Sequence, residues 1–184
     1  IDLKEVISIF ALNSQDILKG FQSEGLVNFS LILKGELSKS TLPEINANFD
    51  IIKGVLRNKK LNVNCQNITL KGSYSNGENR NSKTSQLKID NFSLKLNNGF
   101  FEGRLLVSDF SDIKIDAEVK TSLMLEDIKP FLKQDSLQVL KGNISANLKI
   151  KTKIQDFNSL ICSGKAKIKN FGFKDLRLPL VVVD

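Results

Sequence analysis

The stretch "GNISANLKIKTKI", residues 142–154, decides how the rest of this chain is read. From Ile144 onward, every second residue is apolar or nearly so: Ile144, Ala146, Leu148, Ile150, Thr152 and Ile154. Between them stand Asn143, Ser145, Asn147, Lys149, Lys151 and Lys153. A period of two places alternate side chains on opposite faces of an extended strand. The segment is therefore a strand with one apolar and one wet face, and the question is what covers the apolar one.

The same alternation recurs along most of the chain. "GLVNFSLILKGEL" has Val27, Phe29, Leu31, Leu33 and Leu37 in phase, and "EINANFDII" has Ile45, Ala47, Phe49 and Ile51. In "KLNVNC" the phase runs Leu61, Val63, Cys65 and then slips to Ile68 and Leu70. In "SQLKID" it runs Leu87, Ile89 and slips to Phe92, Leu94 and Leu96. "DIKIDAEVKTSL" carries Ile113, Ile115, Ala117, Val119 and Leu123. One extra residue in a strand turns the following side chains to the other face, so bulges are expected near Gln66–Asn67 and Asp90–Asn91. Asn98-Gly99 in "NNGFF" reads as a hairpin turn between strands. "YSNGENRNSKTSQ" reads as a mobile polar loop around residues 75–85.

Two short helices are expected. "NSQDILKGF" offers Asn13 or Ser14 as a cap before Ile17, Leu18 and Phe21. "LEDIKPFLK" carries Ile128, Phe131 and Leu132, with Pro130 keeping it short. The chain also repeats itself. Gly25 and Gly142 each open an alternating strand, 117 residues apart, and at that offset Val27 meets Ile144, Leu31 meets Leu148 and Ile51 meets Ile168. The helical segments correspond at an offset of 111. The chain thus reads as a single β-rich fragment, 1–184, with internal units of approximately 13–123 and an incomplete 124–184. Such repeats suggest an array. It begins at Ile1 without Met and ends on "LPLVVVD", a mid-strand pattern, so an upstream signal or anchor is left open.

The expected fold class is mainly β: long antiparallel amphipathic strands, about nine in all, in a curved, groove-like sheet. Two short helices cannot cover so broad a sheet. Periodicity alone leaves three arrangements open: a sandwich, a closed barrel, or a trough whose lining meets an apolar ligand.

Composition excludes much else. The chain has no histidine, which removes His-based triads and His metal ligands. The carboxylate pairs Asp109/Asp112 and Glu126/Asp127 read as a turn and a helix start. "KGSYSNG" fits no phosphate loop. No enzyme, cofactor or metal is indicated. The net charge is +7. This reads as a solvated lysine face rather than a nucleic-acid surface, since there is no Trp and only Tyr74 and phenylalanines to stack bases. Cys65 and Cys162 fall on apolar-phase positions and read as buried thiols, with a bridge as the alternative.

A family resemblance adds to this reading. "GLVNFSLILKGEL…LPEINANFDIIKGVL" and "LKGNISANLKIKTKI…SGKAKIKNFGF" resemble the AsmA-like family of bacterial envelope proteins (AsmA/TamB-type). There a glycine opens a long amphipathic strand, a Leu-Pro turn such as Leu42-Pro43 follows, and a short helix like that from Asp127-Ile128 to Phe131-Leu132 precedes each glycine strand. In the second unit Leu160 stands where Pro43 would recur. The resemblance implies a repeating β-groove that binds phospholipid or another acyl lipid. It also implies a periplasmic setting, an inner-membrane anchor outside this stretch, and a role in lipid transport between membranes or outer-membrane assembly. The groove lining would be Val27, Phe29, Leu31, Leu33, Phe49, Ile51, Ile115, Val119, Ile144, Leu148, Ile150 and Ile168. The alternative is a structural β-sandwich or adhesin-type module with no apolar ligand.

Overall fold

In a computed structural model the chain forms one antiparallel sheet whose strands lie in sequence order, each hydrogen-bonded to the next. The structure describes residues 20–38, 42–132, 137–175 and 181–183; for Phe157 and residues 181–183 it describes the backbone alone. The strands are β1 (Gln22–Lys34), β2 (Glu44–Asn58), β3 (Val63–Ser75), β4 (Gln86–Leu96), β5 (Gly99–Ser108), β6 (Lys114–Met124), β7 (Leu137–Lys153), β8 (Asp156–Asp175) and β9 (Val181–Val183). Among the described residues β1 and β9 do not pair, and the sheet is a curved, open one. A sandwich needs a second sheet about 10 Å away. Among the described residues there is none.

The expected phase slips are bulges, in neighbouring strands. β3 bulges at Asn67 and β4 at Asp90–Asn91. β2 bulges as well, between Ile51 and Gly54, where Lys53 takes a φ of 53°. That bulge has no compositional signal, since lysine is not a residue that favours the left-handed region. Because β2, β3 and β4 each carry a bulge, Leu56, Cys65 and Leu96 still pair across on one face. Bulges in neighbouring strands bend a sheet.

The registers repeat. β1 pairs with β2 through Ser23↔Leu56, Leu26↔Ile52, Val27↔Ile51, Phe29↔Phe49 and Leu31↔Ala47. Adding 117 to each number gives Leu140↔Phe173, Asn143↔Lys169, Ile144↔Ile168, Ala146↔Ala166 and Leu148↔Gly164, which are pairs of β7 with β8. The same bulge recurs in both hairpins.

Three expectations change. The β4–β5 turn is Asn97–Asn98 rather than Asn98-Gly99: Asn97 takes φ 49° and Gly99 already pairs with Leu96 inside the ladder. Gly99 is required by β6, since a Cβ there would come within 2.5 Å of the Leu123 Cβ. The 75–85 segment is a folded loop, not a free one. Buried Asn76 accepts the Ile45 N–H (2.9 Å) and donates to the Pro43 carbonyl (2.8 Å). Thr84 donates to the Asn76 carbonyl (2.8 Å), and Ser85 donates to that of Asn81 (2.8 Å). Cys65 and Cys162 lie unbridged on β3 and β8. Cys65 is half-buried, but Cys162 is exposed because its part of β8 has no outer neighbour among the described strands.

One helix is described. α1 (Leu125–Ile128) runs into a 3-10 turn, Lys129–Phe131, with Pro130 at its start. Asn97 ties it to the β4–β5 turn by donating to the Asp127 carboxylate at 2.6 Å. The helix expected over residues 13–21 falls outside the described residues, except for its last two positions.

Candidate functional site

The registers can be followed from strand to strand, and they assemble rows that cross the sheet. One row runs Phe29, Phe49, Gly72, Ile89, Leu105, Ala117, Ile150 and Cys162. The next runs Val27, Ile51, Leu70, Phe92, Gly103, Val119, Leu148 and Gly164. A third runs Leu31, Ala47, Tyr74, Leu87, Val107, Ile115 and Thr152. Directly paired residues point to the same side. The result is one apolar face, eight strands and roughly 35 Å wide at ~4.8 Å per strand.

All twelve residues expected to line the groove stand on this face. Leu33 joins it opposite Ile45, and Ile144 joins it between Leu123 and Ile168. The face packs against itself. The side chains of Phe49 and Ile89 both reach over Gly72, where a Cβ would lie 2.9 Å from each. Phe92 fills the space over Gly103 in the same way. Such lateral cover leaves Ile89 only 8% exposed, without a second layer above it among the described residues. Cover thins towards the sheet's margins. Phe29 is 54% and Leu33 58% exposed in β1, and Ile168 is 46% exposed in β8.

The opposite face is mainly polar, with Leu26, Ile52 and Ile161 exposed at its margins, and it carries ion pairs between neighbouring strands. Glu102 meets Lys120 at 2.8 Å, and Arg104 meets Glu118 at 2.8 Å. Lys149 also reaches Glu118, Lys151 reaches Asp116 and Lys153 reaches Asp112, each at 3.0 Å. The Arg104 guanidinium, then the Lys149 ammonium, hold the Glu118 carboxyl down at about 2. Exposed pairs of this kind each contribute little to stability. They do make it costly to turn either strand face over, because the charges would then lie among Val119, Leu148 and Ile150.

The alternation did not single out β5. In "GFFEGRLLVS" the doublets Phe100-Phe101 and Leu105-Leu106 blur the period of two. The register separates them: Phe101, Leu105 and Val107 join the apolar face, while Phe100 and Leu106 lie on the polar one. Lys120 stands over the Phe100 ring, 5.9 Å from its centre. Leu70, Ile89 and Leu56 also line the apolar face and are absent from the sequence-based set.

Among the described residues, no three His, Cys, Asp or Glu side chains are grouped to hold a metal ion, and no helix is long and apolar enough to cross a membrane. No family model, curated protein or solved structure matches the chain.

Proposed function

We propose that this chain is a lipid-binding segment whose apolar face carries acyl chains. The observation behind this reading is the continuous apolar surface, eight strands wide, that no protein layer covers among the described residues. A surface of that extent on a soluble domain marks a binding site for apolar matter. Burial against acyl chains would stabilise it by roughly 25 cal/mol per Å² removed from water. The polar face, with its ion pairs, stays in water while the other is greased. The AsmA-like resemblance of the glycine-strand motifs supports an envelope setting, with phospholipid transport between membranes or outer-membrane assembly as the task.

The test is direct. The protein is purified without detergent, and its bound lipids are read by native mass spectrometry and by solvent extraction. Acyl lipid should co-purify at a defined ratio. Recovery of none, together with failure to take up a fluorescent fatty acid, overturns the reading in favour of a structural β module.

A further inference from the structure

The chain's positive charge is gathered on one hairpin. Residues 137–175, which span β7 and β8, hold eight lysines and two carboxylates, Asp156 and Asp175. This excess of six accounts for most of the chain's net charge of +7. Within the hairpin the compensation is uneven. Lys149, Lys151 and Lys153 are answered by Glu118, Asp116 and Asp112 on or beside β6. Further along the same face, Lys165 pairs in register with Asn147 and Lys167 with Ser145, and no carboxylate lies within ion-pair reach of either lysine among the described residues.

These two lysines border an open depression of about 700 Å³ on the polar face. Its lining is mostly apolar by exposed area, with Ala146 and Ala166 in it, and its polar groups are few. Ser122 and Ser145 pair across β6 and β7 with their hydroxyls 3.1 Å apart, and Asn147 lies beside them. Two hydroxyls that share one hydrogen between them leave the second O–H free to donate. Phe100 and Lys120 form the far wall, with Lys120 already engaged by Glu102 at 2.8 Å. Lys165 and Lys167 project on the same face, roughly 6.6 Å apart along the strand. Gly164 keeps β8 close to β7 here, since a Cβ would fall 2.1 Å from the Asn147 carbonyl oxygen.

We propose that this depression binds a phosphate group, held by the Lys165 and Lys167 ammonium groups over the Ser122–Ser145 hydroxyls and Asn147. A tetrahedral oxyanion presents several acceptors at once, which suits two ammonium groups and a hydroxyl converging from different sides. The carboxylates on this side are already paired, Glu102 with Lys120 and Glu118 with Arg104 and Lys149. The site is independent of the lipid reading, because its side chains lie on the face opposite Leu148 and Val119.

The full chain is titrated with inorganic phosphate, with glycerol 3-phosphate, and with vesicles of phosphatidylglycerol or phosphatidylcholine, following backbone amide shifts by NMR. Saturable shifts should centre on Ser122, Ser145, Asn147 and residues 164–167, and should shrink as sodium chloride is raised. The double variant Lys165→Gln/Lys167→Gln should weaken binding about tenfold or more, as expected for the loss of two charge-assisted contacts. It should leave co-purifying lipid unchanged. Binding of the small phosphates identifies a soluble phosphate ester as the ligand. Binding of phosphatidylglycerol vesicles alone identifies a lipid headgroup. Equal affinity in the double variant, shifts spread evenly over all lysines, or no response in any arm overturns the proposal.

Discussion

Lys53 and Asn170, 117 residues apart in the chain, share one backbone conformation, with φ of 53° and 54°. Each forms part of a bulge, in β2 and in β8, and each faces a positive-φ glycine strand, Gly25 at 140° and Gly142 at 129°. The left-handed region is costly for lysine and tolerated by asparagine, whose short side chain bonds locally. Lys53→Asn should therefore stabilise the protein and Asn170→Lys destabilise it, each by about 0.5–1 kcal/mol. Chemical denaturation of both variants checks this; equal and same-signed effects would contradict it.

Gly72 sits under Phe49 and Ile89 in the middle of the apolar face. A Cβ at this position would also lie 2.6 Å from the Lys88 carbonyl oxygen, which is backbone and cannot swing aside. Gly72→Val should cost about 1–3 kcal/mol, the usual range for overpacking. A variant that melts with the parent would show that Phe49 and Ile89 do not hold these positions.

Asn76 anchors the 75–85 loop to the start of β2 through the Ile45 N–H and the Pro43 carbonyl. Asn76→Ala strands both backbone groups in a site where the side chain is 2% exposed. A loss of about 2–3 kcal/mol is expected, with faster amide exchange at Ile45, because a buried group without a partner keeps its full desolvation cost. Unchanged exchange at Ile45 would refute the anchoring role.

The Glu118 carboxyl, held at about 2 by Arg104 and Lys149, ties stability to acid. Its folded pKa lies below the ~4.3 of an unfolded glutamate. Its contribution is complete above that value and is lost as pH falls through about 2. Asp109, held at about 2 chiefly by the Ser111 hydroxyl, adds to the same window. The melting temperature should fall between pH 4.5 and 2 in the parent and fall less in Glu118→Gln. Direct NMR titration of the Glu118 carboxyl near 4.3 would contradict the coupling.

Leu148 lies mid-strand on the apolar face, half-buried, between Val119 and Gly164. Under a protein layer, Leu148→Asp would bury an unpaired charge and unfold a domain of ordinary stability. On an open face the carboxylate stays hydrated once lipid leaves. The variant should keep its circular dichroism, melt only modestly lower and lose its co-purifying lipid. An insoluble or unfolded product would count against an open lipid-carrying face.

Strand identity outside β5, the bulges at Asn67 and Asp90 and the apolar face of the alternating strands were legible in the sequence alone. A period of two needs no partner to be read, and "GNISANLKIKTKI" has one wherever it is placed. The recurrence at 117 was legible for the same reason, from Gly25 and Gly142 onward. The tertiary structure alone decided that the sheet stays open, because nothing in the alternation says whether the last strand returns to the first. It also decided which of Phe100 and Phe101, or Leu105 and Leu106, faces inward, since a doublet has no phase until a neighbouring strand sets its register. Lys53's bulge was hidden because its conformation is imposed by the pairing of β2 with β1 and β3 rather than by lysine's own preference. The uncompensated pair Lys165 and Lys167 was likewise invisible. Their isolation depends on Asn147 and Ser145 standing opposite, and only the cross-strand register brings those residues together.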